Sequence, residues 1–191
     1  QIIEEVISSL LKDQFRESIL FTVLQTLALW KGEYPFNHDC LMPFANEIFE
    51  YMTKLNDHLS RSRGSTLFDI SQRLSVLIMI ESRIMITLRY STVSMETISP
   101  TLTGLYNIAD HFAGKPSHPR LLIASLSMLE ASSFFFPELR NAVWKRTWDC
   151  MMSACREKNV QVTVAEAAIH NLIQLCPLML DALSACEIGR A

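Results

Sequence analysis

Apolar residues recur at three- and four-residue spacing along the chain, from Ile2 to Ile188, with polar positions between them. On a 3.6-residue helix that spacing gathers the apolar side chains on one face, so the pattern predicts helices almost throughout. A first helix is expected over Ile2 to Lys12, where Ile3, Val6, Ile7, Leu10 and Leu11 share a face. A second runs from about Phe15 to Lys31 and stops at Gly32 and Pro35, both poor continuers of a helix. The third starts near Leu41 or Pro43 and continues through Phe44, Ile48, Phe49, Met52 and Leu55 to Leu59. A polar, glycine-containing link, Ser60 to Ser65, follows.

The stretch from Leu67 to about Tyr90 is rich in β-branched residues, and Ile78, Met79, Ile80, Ile84, Met85, Ile86 and Leu88 invite a strand reading. Arg73, Glu81, Arg83 and Arg89 interrupt the apolar run, so helix is preferred, with a break allowed near Glu81 and Ser82. Ser99 before Pro100 reads as an N-cap followed by a first-position proline, and Gly114 as the end of that helix. Helices then follow from Pro119 to about Phe135, from Pro137 through Met152, and from Thr163 to Leu175. Pro177 is expected to interrupt before a last helix, Leu178 to Cys186. The sum is about nine helices joined by short connections, which makes sequence neighbours pack antiparallel. No proline- or serine-rich linker divides the chain, so one domain over residues 1–191 is expected.

Composition supports a packed fold. Hydrophobic residues make up 49% and charged residues 19% of the 191, values that lean away from disorder. The formal net charge of −3 gives no whole-domain basic field for nucleic acid. The densest apolar run, Leu74 to Ile80, stops at Glu81, far short of the roughly 20 residues that cross a bilayer. No membrane partner is therefore expected. The chain opens at Gln1 without an initiator Met and reads as a piece excised from a longer protein. Five cysteines in odd number and irregular spacing suit reduced thiols, hence an intracellular setting, cytoplasmic or nuclear.

Three segments carry a resemblance. Thr103-Gly104-Leu105-Tyr106-Asn107-Ile108-Ala109 and Ala167-Ala168-Ile169-His170-Asn171-Leu172-Ile173 both set a small residue ahead of an Asn–apolar pair. His118-Pro119-Arg120 precedes a face with Ala124, Leu126 and Leu129. The first two resemble the last helix of an armadillo repeat and the third the opening of a HEAT helix. The resemblance implies an all-α fold of antiparallel stacked helices, an irregular armadillo/HEAT-like α-solenoid fragment. Asn107 and Asn171 lie 64 residues apart, where such repeats recur at about 40 to 47, and this makes the expected solenoid irregular. The likeness further implies a groove between helices that holds a partner peptide or helix, with Asn107 and Asn171 pairing with the ligand backbone. Asn46 is a looser third match.

Chemistry is thin by comparison. Arg140, Trp144 and Trp148 stand at i, i+4 and i+8, residue types common at binding hot spots, and are candidates for a partner-binding face with Lys145 and Arg146 as a basic rim. The alternative is that both Trp rings belong to the core. Phe134, Phe135 and Phe136 cannot all face one core from one helix. Adjacent His38, Asp39 and Cys40 cannot converge as a triad, and Cys150 with Cys155 lacks paired zinc knuckles. There is no phosphate-binding loop, dinucleotide fingerprint or H-E-x-x-H. The expected function is therefore non-enzymatic protein–protein interaction, without cofactor or metal. A purely structural helical segment, or a local nucleic-acid contact through Arg140, Lys145 and Arg146, are the alternatives.

Overall fold

The computed structural model describes residues 38–59, 61, 63–114, 118–156 and 162–188, together with isolated helical positions at Ser9, Thr22 and Thr26. The expected helices over Ile2–Lys12 and Phe15–Lys31 lie outside the described residues. Six α-helices occur among the described residues: α1 (His38–Leu59), α2 (Ser65–Leu88), α3 (Met95–Ala113), α4 (Pro119–Phe135), α5 (Arg140–Arg156) and α6 (Val162–Ile188). A single 3-10 turn, Pro137–Leu139, joins α4 to α5. The described fold is all-α, with no strand.

The chain divides into two compact units, Gln1–Leu105 and Tyr106–Ala191, with the boundary inside α3. In the first unit α1 packs on α2. The middle of α2 is buried on several sides, through Leu74, Leu77, Ile78, Ile80, Ile84, Met85 and Leu88. Truncating one of these fully buried side chains to Ala removes roughly 2–5 kcal/mol. The serines of α2 survive burial because their hydroxyls turn back onto their own helix. Ser71 donates to the Leu67 carbonyl, Ser75 to Gln72 and Ser82 to Met79, at 2.7–2.8 Å. No break occurs at Glu81 and Ser82. The helix opens on Gly64, whose φ of 64° is a left-handed conformation that an L side chain rarely adopts.

In the second unit α4, α5 and α6 each pack against the other two. Ala154 of α5 meets Val164 and Ala165 of α6, with Leu122 and Ile123 of α4 against them. The small side chains let the helices approach closely.

Prolines mark the main departures from expectation. α3 begins at Met95, not at Ser99, with Pro100 inside it. Ser94 starts it: its carbonyl accepts from the N–H groups of Thr97 and Ile98, and its hydroxyl lies 3.0 Å from that of Thr97. Pro177 does not divide the last segment, and α6 runs through it to Ile188. Pro43 likewise sits inside α1, which starts at His38. All three are exposed, as is Ile173, whose carbonyl Pro177 leaves without an intrahelical donor. Water satisfies such a carbonyl at low cost, so an exposed proline need not end a helix. Pro137, by contrast, opens a 3-10 turn, and α5 starts only at Arg140. Phe134, Phe135 and Phe136 are all half-buried, because the backbone leaves the helix at Phe136 and redirects the last ring.

Candidate functional site

Arg140, Trp144 and Trp148 all belong to α5, but they do not share one exposure. Eight residues turn a helix about 80° beyond two full turns, enough to carry Trp148 off the Arg140 meridian. Arg140 and Trp144 are half-buried, whereas Trp148 is 47% exposed. The Arg140 guanidinium donates to the Ser133 carbonyl (3.1 Å) and to the Leu178 carbonyl (3.3 Å). It thereby closes the carboxyl end of α4, where carbonyls lack intrahelical donors, and ties α5 to α6. Its Nε and Nη1 are thereby engaged within the unit.

Arg146 is committed as well. Its Nε donates to Asp110 Oδ1 at 2.8 Å and its Nη2 to Oδ2 at 3.3 Å, a two-pronged pair between α5 and the end of α3. Close by, the Cys150 thiol donates to the Ala113 carbonyl at 3.2 Å. Burial pushes that thiol's pKa up, partly offset by Arg146, which is the opposite of what a nucleophile needs. Burial, reinforced by Asp110, likewise raises the Tyr106 phenol. This cluster is a latch between α3 and α5.

What α5 leaves to solvent is a different row. Lys145, Trp148, Asp149, Ser153 and Arg156 are exposed and Met152 half-buried. Trp148, Asp149, Met152, Ser153 and Arg156 line a depression of about 460 Å³. At about 100° per residue, Lys145, Met152 and Arg156 fall within about 20° of one meridian. Trp148 stands on one flank, Asp149 and Ser153 on the other. Arg156 and Met152 were not singled out by the sequence reading. Counting from Trp148 by three and four would have reached Met152, but not its accessibility.

The two asparagines part company. Asn107 is exposed. Asn171 is 3% exposed and faces the interior of its unit, and its Nδ2 has no hydrogen-bond partner among the described residues. A side chain so enclosed does not reach a ligand backbone across an open groove. Asn46 is exposed, and its Oδ1 accepts from the Thr101 hydroxyl at 2.6 Å.

Two carboxyls were missed. Glu81 of α2 is fully buried, and neither oxygen has a hydrogen-bond partner among the described residues. Desolvation alone holds its pKa well above the ordinary range. Glu130 of α4 is pushed up to about 7 by the same cause. On a helix whose neighbours are apolar, a lone Glu reads as a solvated position, which is why burial was not foreseen.

No group of three or more His, Cys, Asp or Glu among the described residues could hold a metal ion. Cys150 is buried while Cys155 and Cys176 are exposed, and all three are free thiols. The segment Val162–Leu180 of α6 is long and apolar enough by length and composition to cross a bilayer. Its apolarity has two sources: Val164, Ala165, Ala168, Leu172 and Leu175 are buried, and Ile169, Ile173 and Leu180 form an exposed stripe. Comparison with protein-family models, curated proteins and solved structures finds no match for this chain.

Proposed function

We propose that this chain is a non-enzymatic protein–protein interaction domain, an adaptor or scaffold element, whose contact surface is centred on Trp148. The observation that carries the reading is the 47% exposure of that indole at the edge of a depression of about 460 Å³. Large aromatics are usually buried, and Trp together with Arg supplies much of the binding energy at interfaces. Arg156 and Met152 supply the cation and the adaptable apolar surface beside it. The armadillo-type role of Asn107 and Asn171 is supported less, since only Asn107 is exposed. A nucleic-acid contact is also less favoured, because Arg140 and Arg146 are engaged inside the unit, leaving Lys145 alone of the three expected cations. The free thiols among the described cysteines support an intracellular setting.

The test is affinity capture from lysate by the whole chain, read by mass spectrometry, beside Trp148→Ala and Asn107→Ala. Partners lost with Trp148→Ala and kept with Asn107→Ala support the reading. Partners lost only with Asn107→Ala favour a groove of the armadillo type. Partners unaffected by either variant reject both surfaces.

A second reading, a bracing segment of a larger helical stack, is favoured by the stripe of Ile169, Ile173 and Leu180 on α6. These side chains are 46–63% exposed and spaced as a neighbouring helix would require.

A further inference from the structure

We propose that the partner at the α5 surface is an acidic amphipathic helix, with carboxylates at both ends of an apolar centre. The inference rests on the interaction surface argued above and names what binds it. It follows from which charges α5 keeps free. Arg140 is spent on two backbone carbonyls and Arg146 on Asp110. Lys145 and Arg156 are exposed and enter no ion pair among the described residues. They stand eleven residues apart, about 16 Å along the axis and within about 20° of the same meridian.

Between these two cations lie two apolar side chains, Met152 on the same line and Trp148 on one flank. A helix laid along this row meets cations near its two ends and apolar surface in its middle, so it carries acid, apolar, apolar, acid at matching spacing. Asp149 and Ser153 on the other flank add a directional feature. A carboxylate in the middle of the partner on that side would face Asp149, whereas a hydrogen-bond donor there would be accepted. The row is too short in cations to hold a nucleic-acid backbone, whose affinity needs several phosphate neutralisations. A second copy of this row would set Lys145 and Arg156 against their own kind. The one arrangement that avoids this, offset antiparallel, brings Asp149 against a cation but uncovers Met152.

The probe is a synthetic helix of about 18 residues in an Ala/Gln background, long enough to be helical in water, carrying Glu-x-x-x-Leu-x-x-Leu-x-x-x-Glu. A second peptide replaces both Glu with Lys. Binding of each to the whole chain is measured by fluorescence anisotropy, with circular dichroism as the fold control for every variant. The Glu peptide is expected to bind, at least tenfold more tightly than the Lys peptide. Trp148→Ala is expected to weaken it by about tenfold or more. Lys145→Glu with Arg156→Glu should weaken the Glu peptide several-fold and make the Lys peptide the better ligand.

Equal, Trp148-dependent binding of both peptides overturns the acidic assignment while leaving the interaction surface standing. Absence of binding by either peptide up to about 1 mM overturns the partner class, and the lysate capture with Trp148→Ala then decides the surface by itself. A concentration-dependent dimer abolished by Trp148→Ala, or an RNA duplex held with steep salt dependence and released by the double charge reversal, also overturns it.

Discussion

Gly104 sits in α3 with the ring of Phe49 from α1 pressed against it. A Cβ placed on Gly104 would come within 2.9 Å of Phe49 Cε2 and nearer still to Cζ. Two effects of Gly104→Ala therefore oppose each other. Inside a helix, Ala is favoured over Gly by about 1 kcal/mol. Overpacking a filled contact costs about 1–3 kcal/mol, since either the ring leaves its position or the helices separate. Contact below 3 Å is closer than real Cβ atoms tolerate, so the second effect wins and the variant loses about 1 kcal/mol. Phe49→Leu removes both Cζ and Cε2. In that background the clash is gone, and the same Gly104→Ala should gain about 0.5–1 kcal/mol. The sign reverses, and the coupling between the two sites amounts to about 2 kcal/mol. Urea unfolding followed by circular dichroism, on the four members of the cycle, measures it. If Gly104→Ala stabilises equally in both backgrounds, Phe49 does not seat on Gly104 and the α1–α3 packing is wrong.

Replacing Glu81 with Met removes a buried acid without a partner, so stability at pH 8 should rise by at least about 1 kcal/mol, by thermal or urea unfolding; a loss would reveal a compensating partner. Glu130 has a raised folded pKa, so its protonated form contributes stability that is fully present below about 4.5 and lost as pH rises toward about 7. Glu130→Gln should match the parent protein at pH 4 and exceed it at pH 8 by up to about 3 kcal/mol; a pH-independent difference would contradict its burial. A double-mutant cycle of Arg146→Ala and Asp110→Ala should give a coupling of about 1 kcal/mol, as both side chains are about a third exposed and the pair is partly screened. Trp148→Ala should change stability by less than about 1 kcal/mol, in contrast to a buried tryptophan, and a larger loss would return that ring to the core.

The helices were legible because their signal is spacing, and spacing survives without any tertiary knowledge. The strand-like composition of Ile78 to Leu88 was outweighed by the charges that interrupt it, and α2 is helical there. Terminations were harder. Pro100 and Pro177 read as boundaries, yet an exposed proline loses one hydrogen bond that water replaces, and solvent access is a property of the fold. Ser94 and Ser99 are both plausible caps, and the choice depended on the two N–H groups that converge on the Ser94 carbonyl. For the candidate site, Trp148 was visible as a residue type, but the partition of cations was not. Arg140, Lys145, Arg146 and Arg156 look alike in sequence. Only the positions of the Ser133 and Leu178 carbonyls and of Asp110 separate Arg140 and Arg146 from Lys145 and Arg156, which enter no ion pair among the described residues. The enclosure of Asn171 and the solitude of Glu81 are likewise set by neighbours distant in sequence.

The most direct test of the α5 surface as a protein interface is site-specific photo-crosslinking of the whole chain in cells. A photoreactive residue is placed at Ser153, beside the depression, and in parallel at Glu96, an exposed position on α3. The account predicts discrete crosslinked partners from position 153, absent from position 96, that disappear when Trp148→Ala is added. Equal and diffuse crosslinking from both positions, or partners at 153 that persist without the indole, would contradict it.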